Sequence, residues 1–176
     1  MVFIINGYLG SGKDTFVDMV SKIYSELKPL SKVVNISSID YLKDIFKREF
    51  DWDGKKTPEV RAALATTHIA LSRWNDIPFV LTSEKIKMEH SKGNIVFVHC
   101  REPENIIKYT MAFQAPTIFV DNEQAKNAAL LNAKNLTSSD LDIENYKYTI
   151  HINNNSTFEK LEEEAKNFVY DWIIGY

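Results

Sequence analysis

Four segments of the chain are apolar at nearly every position, a pattern typical of parallel strands buried on both faces. They are residues 2–6, 94–100, 116–120 and 148–152, and residues 33–36 form a shorter fifth candidate. None of them alternates between apolar and polar residues, as a strand with one solvated face would. The pattern therefore predicts a parallel sheet of five strands.

Between these segments, apolar residues recur at helical spacing, as in residues 15–27 and 39–50. Helix starts are also marked: Thr57 precedes a proline and an acid, Pro103 is followed by an acid, and residues 156–159 spell a capping box. Strands that alternate with helices indicate helices on both faces of the sheet. We expect a three-layer α/β fold.

The length of 176 residues suits one domain with a real core. Residues 51–92 contain no strand pattern after the turn at 51–56, so we interpret them as a helical insertion at one edge of the sheet. Such an insertion is a natural cover for a substrate. Residues 121–147, between the last two strands, are a short candidate lid.

Composition narrows the functional classes. The formal net charge of −3 gives no general attraction to nucleic acid or to anionic membranes. No apolar run approaches the length that crosses a bilayer, and the short N-terminal run does not fit a signal peptide. A single cysteine, Cys100, fits a reducing compartment. We expect a cytoplasmic protein without nucleic-acid or membrane partners.

The strongest chemical signal follows the first strand directly and opens the first helix. It reads Gly7-Tyr8-Leu9-Gly10-Ser11-Gly12-Lys13-Asp14-Thr15. Glycines allow a tight turn whose backbone N–H groups reach phosphate oxygens, and the helix N-terminus adds partial positive charge. A lysine at this position reaches the terminal phosphates. We predict a phosphate-binding loop formed by Gly7, Gly10, Ser11, Gly12, Lys13, Asp14 and Thr15.

One position departs from the general pattern of such loops. Asp14 follows the lysine where serine or threonine is usual, and Thr15 comes next. Because an acid that faced bound phosphates would repel them, we expect Asp14 to point toward a neighbouring basic residue. Thr15 is then the better hydroxyl for phosphate or Mg²⁺.

The loop resembles that of adenylate kinase and its relatives, with Gly7, Gly10, Gly12, Lys13 and Thr15 at matching positions. Its Gly-Lys-Asp version is similar to phage deoxynucleoside monophosphate kinase and animal phosphomevalonate kinase. Weaker similarities are the stretch 37–40 followed by Lys43, the arginine Arg101 after an apolar strand, and the ending from residue 148 to the capping box.

The resemblance implies a P-loop kinase fold that binds ATP and Mg²⁺, with Thr15 as the metal-side hydroxyl. It implies catalytic roles for Lys13, Arg101 and Asp40. It also implies an acceptor site formed by Ser38, Asp40, Lys43, Arg61 and Arg101. From the residues alone, Asp40 is equally well an early-turn acid of its helix, and Arg61 is equally well a solvated charge.

Two departures from the relatives bear on activity. Their acid-x-arginine triplet is His99-Cys100-Arg101 here, so the acid that helps to hold Mg²⁺ is missing from its usual place, although Glu102 is adjacent and Asp40 could serve instead. Their lid arginines are also missing, since residues 121–147 carry only the lysines Lys126, Lys134 and Lys147. Lysine neutralises phosphate but cannot form a bidentate fork.

Three hypotheses follow. The first is an ATP-dependent kinase of a small phosphorylated acceptor, above all a (deoxy)nucleoside monophosphate. The second is a nucleotide-binding regulatory protein with little or no turnover. The third is a phosphomevalonate-type kinase, which shares the first chemistry and differs in its acceptor pocket.

Overall fold

The computed structural model describes residues 1–55, 57–131, 143–144 and 146–175. In chain order, its strands are β1 (Val2–Asn6), β2 (Val33–Ser37), β3 (Ile95–His99), β4 (Thr117–Asp121) and β5 (Ile150–Asn153). They form one parallel sheet in the order β2-β3-β1-β4-β5. The predicted five-stranded parallel sheet is confirmed, with strand ends shifted by one or two residues.

Seven α-helices lie in the described part of the chain. They are α1 (Lys13–Leu27), α2 (Asp40–Phe50), α3 (Pro58–Asn75), α4 (Ile77–Ser91), α5 (Pro103–Phe113), α6 (Glu123–Leu131) and α7 (Phe158–Phe168). A π-helical segment, Val169–Ile174, continues α7. Within the described residues, none of these helices has both the length and the apolar character needed to cross a bilayer.

The sheet is buried on both faces, as the continuous apolar runs predict. On one face Phe3 packs with Phe16 of α1 and Phe168 of α7 in a cluster of aromatic rings. On the other face Ile4 belongs to a core that includes Ile86 of α4 and Ile106 of α5. All of these side chains are almost fully buried. The three-layer α/β fold is therefore confirmed.

The helix starts predicted from the sequence are mostly observed. The hydroxyl of Thr57 accepts a hydrogen bond of 3.4 Å from the N–H of Val60 and caps α3. The predicted helical stretch before β3 is divided at Asp76, whose φ of 51° ends α3 and precedes α4. α5 begins at Pro103, as expected.

The predicted capping box at residues 156–159 is wrong. The residue before α7 is Thr157, and its side chain makes no capping hydrogen bond. The preceding loop is instead held by two asparagines: Asn154 donates to the backbone oxygen of Ser11, and Asn155 accepts from the N–H of Glu123. These bonds fix the chain after β5, and α7 begins one residue later than the motif requires.

Candidate phosphate-binding site

The loop from Gly7 to Gly12 joins β1 to α1 at the carboxyl edge of the sheet, beside the central strand. Gly10 and Gly12 have φ angles of 83° and 91°, in the left-handed region that favours glycine. Gly12 immediately precedes α1, so the first turn of that helix opens onto the loop. In open parallel sheets this edge is where ligands bind. The predicted loop therefore has the backbone and the position that phosphate binding requires.

Lys13 bends back over the loop that precedes it. Its Nζ donates to the backbone oxygens of Gly7 at 2.6 Å and Tyr8 at 2.7 Å, and it lies 3.4 Å from the Oγ of Ser11. These contacts hold the ammonium at the mouth of the loop, close to the helix N-terminus. Two sources of positive potential, the ammonium and the helix dipole, thus lie at one place.

Two asparagines hold the loop in shape, one directly before the loop and one far away in sequence. The Nδ2 of Asn154 donates to the backbone oxygen of Ser11 at 2.8 Å. Asn6, almost fully buried, accepts from the N–H of Gly7 at 2.8 Å and donates to the hydroxyl of Tyr148, also at 2.8 Å. Sequence reasoning missed both residues, because nothing in a lone asparagine reveals a partner more than 140 positions away.

Asp14 faces the end of β3. Its Oδ1 lies 3.7 Å from the Nε2 of His99, which is too long for a hydrogen bond. Burial lowers the pKa of His99 to about 4; the nearby Asp14 carboxylate opposes this shift, and Lys13 adds to it. The imidazole is therefore neutral at neutral pH, and the contact is not an ion pair. The side chain to which Asp14 turns is a histidine, but not a charged one.

Several residues predicted to bind the acceptor lie close together at the carboxyl ends of β2 and β3. The carboxylate of Asp40 accepts from the N–H of Ser37 and from Lys43, both at 2.8 Å, and lies 3.6 Å from the Nζ of Lys85. Burial acts to raise the pKa of Asp40, but the bonds from Lys43 and Ser37 outweigh it, so the pKa is lowered. Asp40 is ionised at neutral pH. Lys85 of α4 is a member of this cluster that the sequence did not reveal.

Ser38 lies at the same place, beside the carboxyl ends of β2 and β3. It is almost fully buried, and its N–H donates to the backbone oxygen of His99 at 3.3 Å. Ser38, Asp40 and Lys43 therefore lie close together, and their role in binding an acceptor stays a prediction.

The two arginines among the predicted site residues are both exposed. Arg101 follows β3 after the buried Cys100, and its backbone oxygen lies 3.5 Å from the Nδ2 of Asn6 at the base of the loop. Arg61 lies in the first turn of α3, in the segment expected to cover the acceptor. Their predicted contacts with phosphate stay predictions.

Thr15 is exposed in the first turn of α1, next to the exposed Asp14. No cluster of three or more His, Cys, Asp or Glu side chains suited to a metal occurs among the residues that the structure describes. Mg²⁺ does not need such a cluster, since it is usually held by one or two carboxylates together with waters and substrate phosphates. The role of the Thr15 hydroxyl in holding Mg²⁺ stays a prediction.

The predicted lid is only partly described. Lys126 of α6 forms a 2.8 Å ion pair with Glu144, and Lys147 is exposed, whereas Lys134 lies outside the described residues. This ion pair and the aromatic rings of Phe119, Tyr146 and Tyr148 line a cavity of about 300 Å³. The role of residues 121–147 as a lid stays a prediction.

Comparison with solved structures identifies the fold. The chain is similar to the Mycobacterium tuberculosis APS kinase, solved with AMPPNP and APS, at 14% identity over 96% of this chain and 95% of that one, with a TM-score of 0.56. A gluconokinase from Sinorhizobium meliloti is 12% identical over 99% of this chain and 94% of that chain, with a TM-score of 0.51. A thymidylate kinase from Ehrlichia chaffeensis is 12% identical over 97% of each chain, with a TM-score of 0.50.

These similarities show that the chain has the P-loop kinase fold, and the resemblance seen in the sequence is confirmed at that level. No protein-family model and no curated protein sequence matches the chain. The names of these three enzymes indicate different acceptors, so the shared fold does not identify the acceptor of this chain.

Proposed function

We propose that the protein is an ATP-dependent kinase of a small phosphorylated acceptor, most specifically a (deoxy)nucleoside monophosphate. The observation that carries the proposal is the placement of Lys13 over the loop, with the start of α1 beside it. This arrangement suits the β- and γ-phosphates of a nucleoside triphosphate. The APS kinase with a similar fold was solved with an ATP analogue, which agrees with this use of the loop.

In this proposal the loop amides and Lys13 bind and orient the triphosphate. Phosphoryl transfer depends mainly on such positioning and on stabilising the charge that builds up on the transferred group. Mg²⁺ bound with ATP would supply further neutralisation of the phosphates, and Thr15 is the hydroxyl that would help to hold it. Arg101, exposed at the end of β3, would contact the reacting phosphates or the acceptor.

The corner formed by Asp40, Lys43 and Lys85 is the proposed acceptor side. The two lysines carry one positive charge more than the single carboxylate between them, which favours an anionic acceptor. Asp40 is ionised, so it would accept a hydrogen bond from an acceptor hydroxyl and orient it. Arg61 and the rest of residues 51–92 would close over the acceptor and exclude water.

One observation favours the alternative of a nucleotide-binding regulatory protein. The end of β3 carries a buried, neutral His99 where P-loop enzymes commonly have an acid that helps to hold Mg²⁺. If no other carboxylate replaced that acid, nucleotide would bind but turnover would be low.

The test is ADP production from Mg-ATP with a panel of nucleoside monophosphates, deoxynucleoside monophosphates and phosphomevalonate. The Lys13→Met variant removes the charge over the loop, and Lys28→Ala, an exposed lysine at the opposite end of α1, is the matched control. We expect acceptor-dependent turnover in the wild type and in Lys28→Ala, and its loss in Lys13→Met. ATP binding that needs Lys13 but shows no turnover with any acceptor would favour the regulatory alternative.

A further inference from the structure

The cavity of about 300 Å³ near Lys126 and Glu144 is separate from the proposed phosphate site. Its described lining belongs to β4, β5, α6 and the chain that leads into β5, and the loop from Gly7 to Thr15 contributes no residue to that lining. The volume is at the lower end of the range for ligand pockets, so it suits a small ligand better than a nucleotide. ATP bound at the loop would therefore leave this cavity unused.

One wall of the cavity is aromatic. The ring centroid of Tyr148 lies 5.0 Å from that of Phe119 and 4.9 Å from that of Tyr146, and the ring planes are inclined by 33° and 60°. The imidazole of His151 lies 6.0 Å from the ring of Phe119 and 6.2 Å from that of Tyr148, at 62° and 87°. Rings inclined in this way enclose a space rather than stack flat on one another. Their faces carry partial negative charge, which attracts cations.

Regular structure and hydrogen bonds hold this wall in place. Phe119 and His151 are directly opposite each other in the pairing of β4 with β5. The hydroxyl of Tyr148 accepts from the Nδ2 of Asn6 at 2.8 Å and donates to the backbone oxygen of Ile143 at 2.9 Å. A wall that is already fixed in this way loses little conformational freedom when a ligand binds.

The charged residues of the described lining have an excess of negative charge. Asp121, Glu123 and Glu144 contribute three carboxylates, whereas Lys126 contributes one ammonium group. Lys126 and Glu144 form an ion pair of 2.8 Å with each other, so the excess lies with Asp121 and Glu123. This charge repels a phosphate group and attracts a cation, as the aromatic faces also do.

We propose that this cavity is a binding site for a small organic cation with an alkylated ammonium group. The rings of Phe119, Tyr146 and Tyr148 contact its alkyl groups, and Asp121 and Glu123 attract its charge. Such an ion suits the cavity better than a metal ion, because its apolar surface packs against the rings while its charge is stabilised by their faces. The site does not depend on the proposed kinase activity, since Lys13 and the phosphate loop take no part in it.

The test uses choline as the probe and its neutral isostere dimethylbutanol, in which carbon replaces the charged nitrogen. Binding is measured by calorimetry without ATP, so neither nucleotide binding nor turnover affects the result. We expect choline to bind to the wild type and the isostere to bind at least about fivefold more weakly, because it lacks the charge that the ring faces attract. Equal affinity for the two probes, or no binding of choline, would overturn the inference.

Two pairs of variants locate the binding in this cavity. Tyr146→Leu removes one ring of the wall and should weaken choline binding about fivefold, whereas Tyr170→Leu, at a half-exposed tyrosine elsewhere, should bind as the wild type does. Glu123→Gln should weaken choline binding about two- to threefold, since exposed charges contribute modestly. Glu104→Gln, which removes an exposed acid from the first turn of α5, is its matched control and should have no effect. Losses no greater than in the controls would show that choline binds elsewhere and would also overturn the inference.

Discussion

The side-chain amide of Asn154 donates a 2.8 Å hydrogen bond to the backbone oxygen of Ser11, and this bond ties the loop after β5 to the loop before α1. We expect Asn154→Ala to lower the free energy of unfolding by about 1 kcal/mol and to weaken ATP binding several-fold, because the loop loses an anchor. Asn154→Asp should be worse, since a carboxylate cannot donate this bond. Denaturant unfolding and ATP titration measure both effects, and Asn167→Ala, an exposed asparagine of α7, serves as the control. Wild-type ATP affinity in Asn154→Asp would contradict the anchoring role.

Gly12 is predicted to be irreplaceable for a steric as well as a conformational reason. Its φ is 91°, and an added Cβ would collide with the side-chain amide of Asn154. We expect Gly12→Ala to cost more than about 2 kcal/mol in the free energy of unfolding and to abolish measurable ATP binding. Gly93→Ala is the matched control, because Gly93 has a φ of 78° but open space around its missing Cβ. It should show only the backbone strain, about 1 kcal/mol. Equal costs for the two variants would show that the contact with Asn154 is unimportant.

The hydroxyl of Tyr148 joins two elements near the base of the loop. It accepts from the Nδ2 of Asn6 at 2.8 Å and donates to the backbone oxygen of Ile143 at 2.9 Å. Tyr148→Phe keeps the ring but leaves the buried amide of Asn6 without this acceptor, so we expect a loss of about 1–3 kcal/mol in the free energy of unfolding. Tyr170→Phe, at a half-exposed position, is the control for removal of a hydroxyl. A loss in Tyr148→Phe no greater than in this control would contradict the account.

His99 is predicted to make the protein sensitive to acid. Burial lowers its pKa in the folded state from 6.5 to about 4, so the unfolded chain binds a proton at pH values where the folded chain does not. The free energy of unfolding is therefore unaffected by His99 protonation above pH 6.5. It falls as the pH drops toward about 4, by roughly 3 kcal/mol in total.

The measurement is the free energy of unfolding against pH for the wild type and for His99→Gln. Because the buried His68 also has a lowered pKa, the difference between the two proteins is the informative quantity. We expect His99→Gln to lose less free energy of unfolding than the wild type as the pH falls from 6.5 to about 4. Parallel curves through this range would show that His99 is not buried as a neutral side chain.

The sequence predicted those parts of the fold and site that depend on local patterns. The continuous apolar runs gave the parallel sheet, and the glycines and lysine between β1 and α1 gave the phosphate loop. The bond from Asn6 to Tyr148, the bond from Asn154 to Ser11 and the proximity of His99 to Asp14 could not be predicted, because they depend on which strands become neighbours in the sheet. β1 lies between β3 and β4, and this order brings His99 to the side of Asp14. The capping box failed for a related reason, since long-range bonds of Asn154 and Asn155 decide where α7 begins.

Phosphoryl transfer at the loop formed by Gly7 to Thr15 can be tested by phosphorus NMR of a reaction mixture. The protein is incubated with Mg-ATP and the nucleoside monophosphate panel, and all phosphorus species are followed together. We expect ADP and the diphosphate of the acceptor nucleoside to form at equal rates in the wild type, and neither to form in Lys13→Met. Hydrolysis of ATP to ADP and inorganic phosphate without a phosphorylated acceptor, or an unchanged ATP signal with every acceptor, would contradict phosphoryl transfer at this loop.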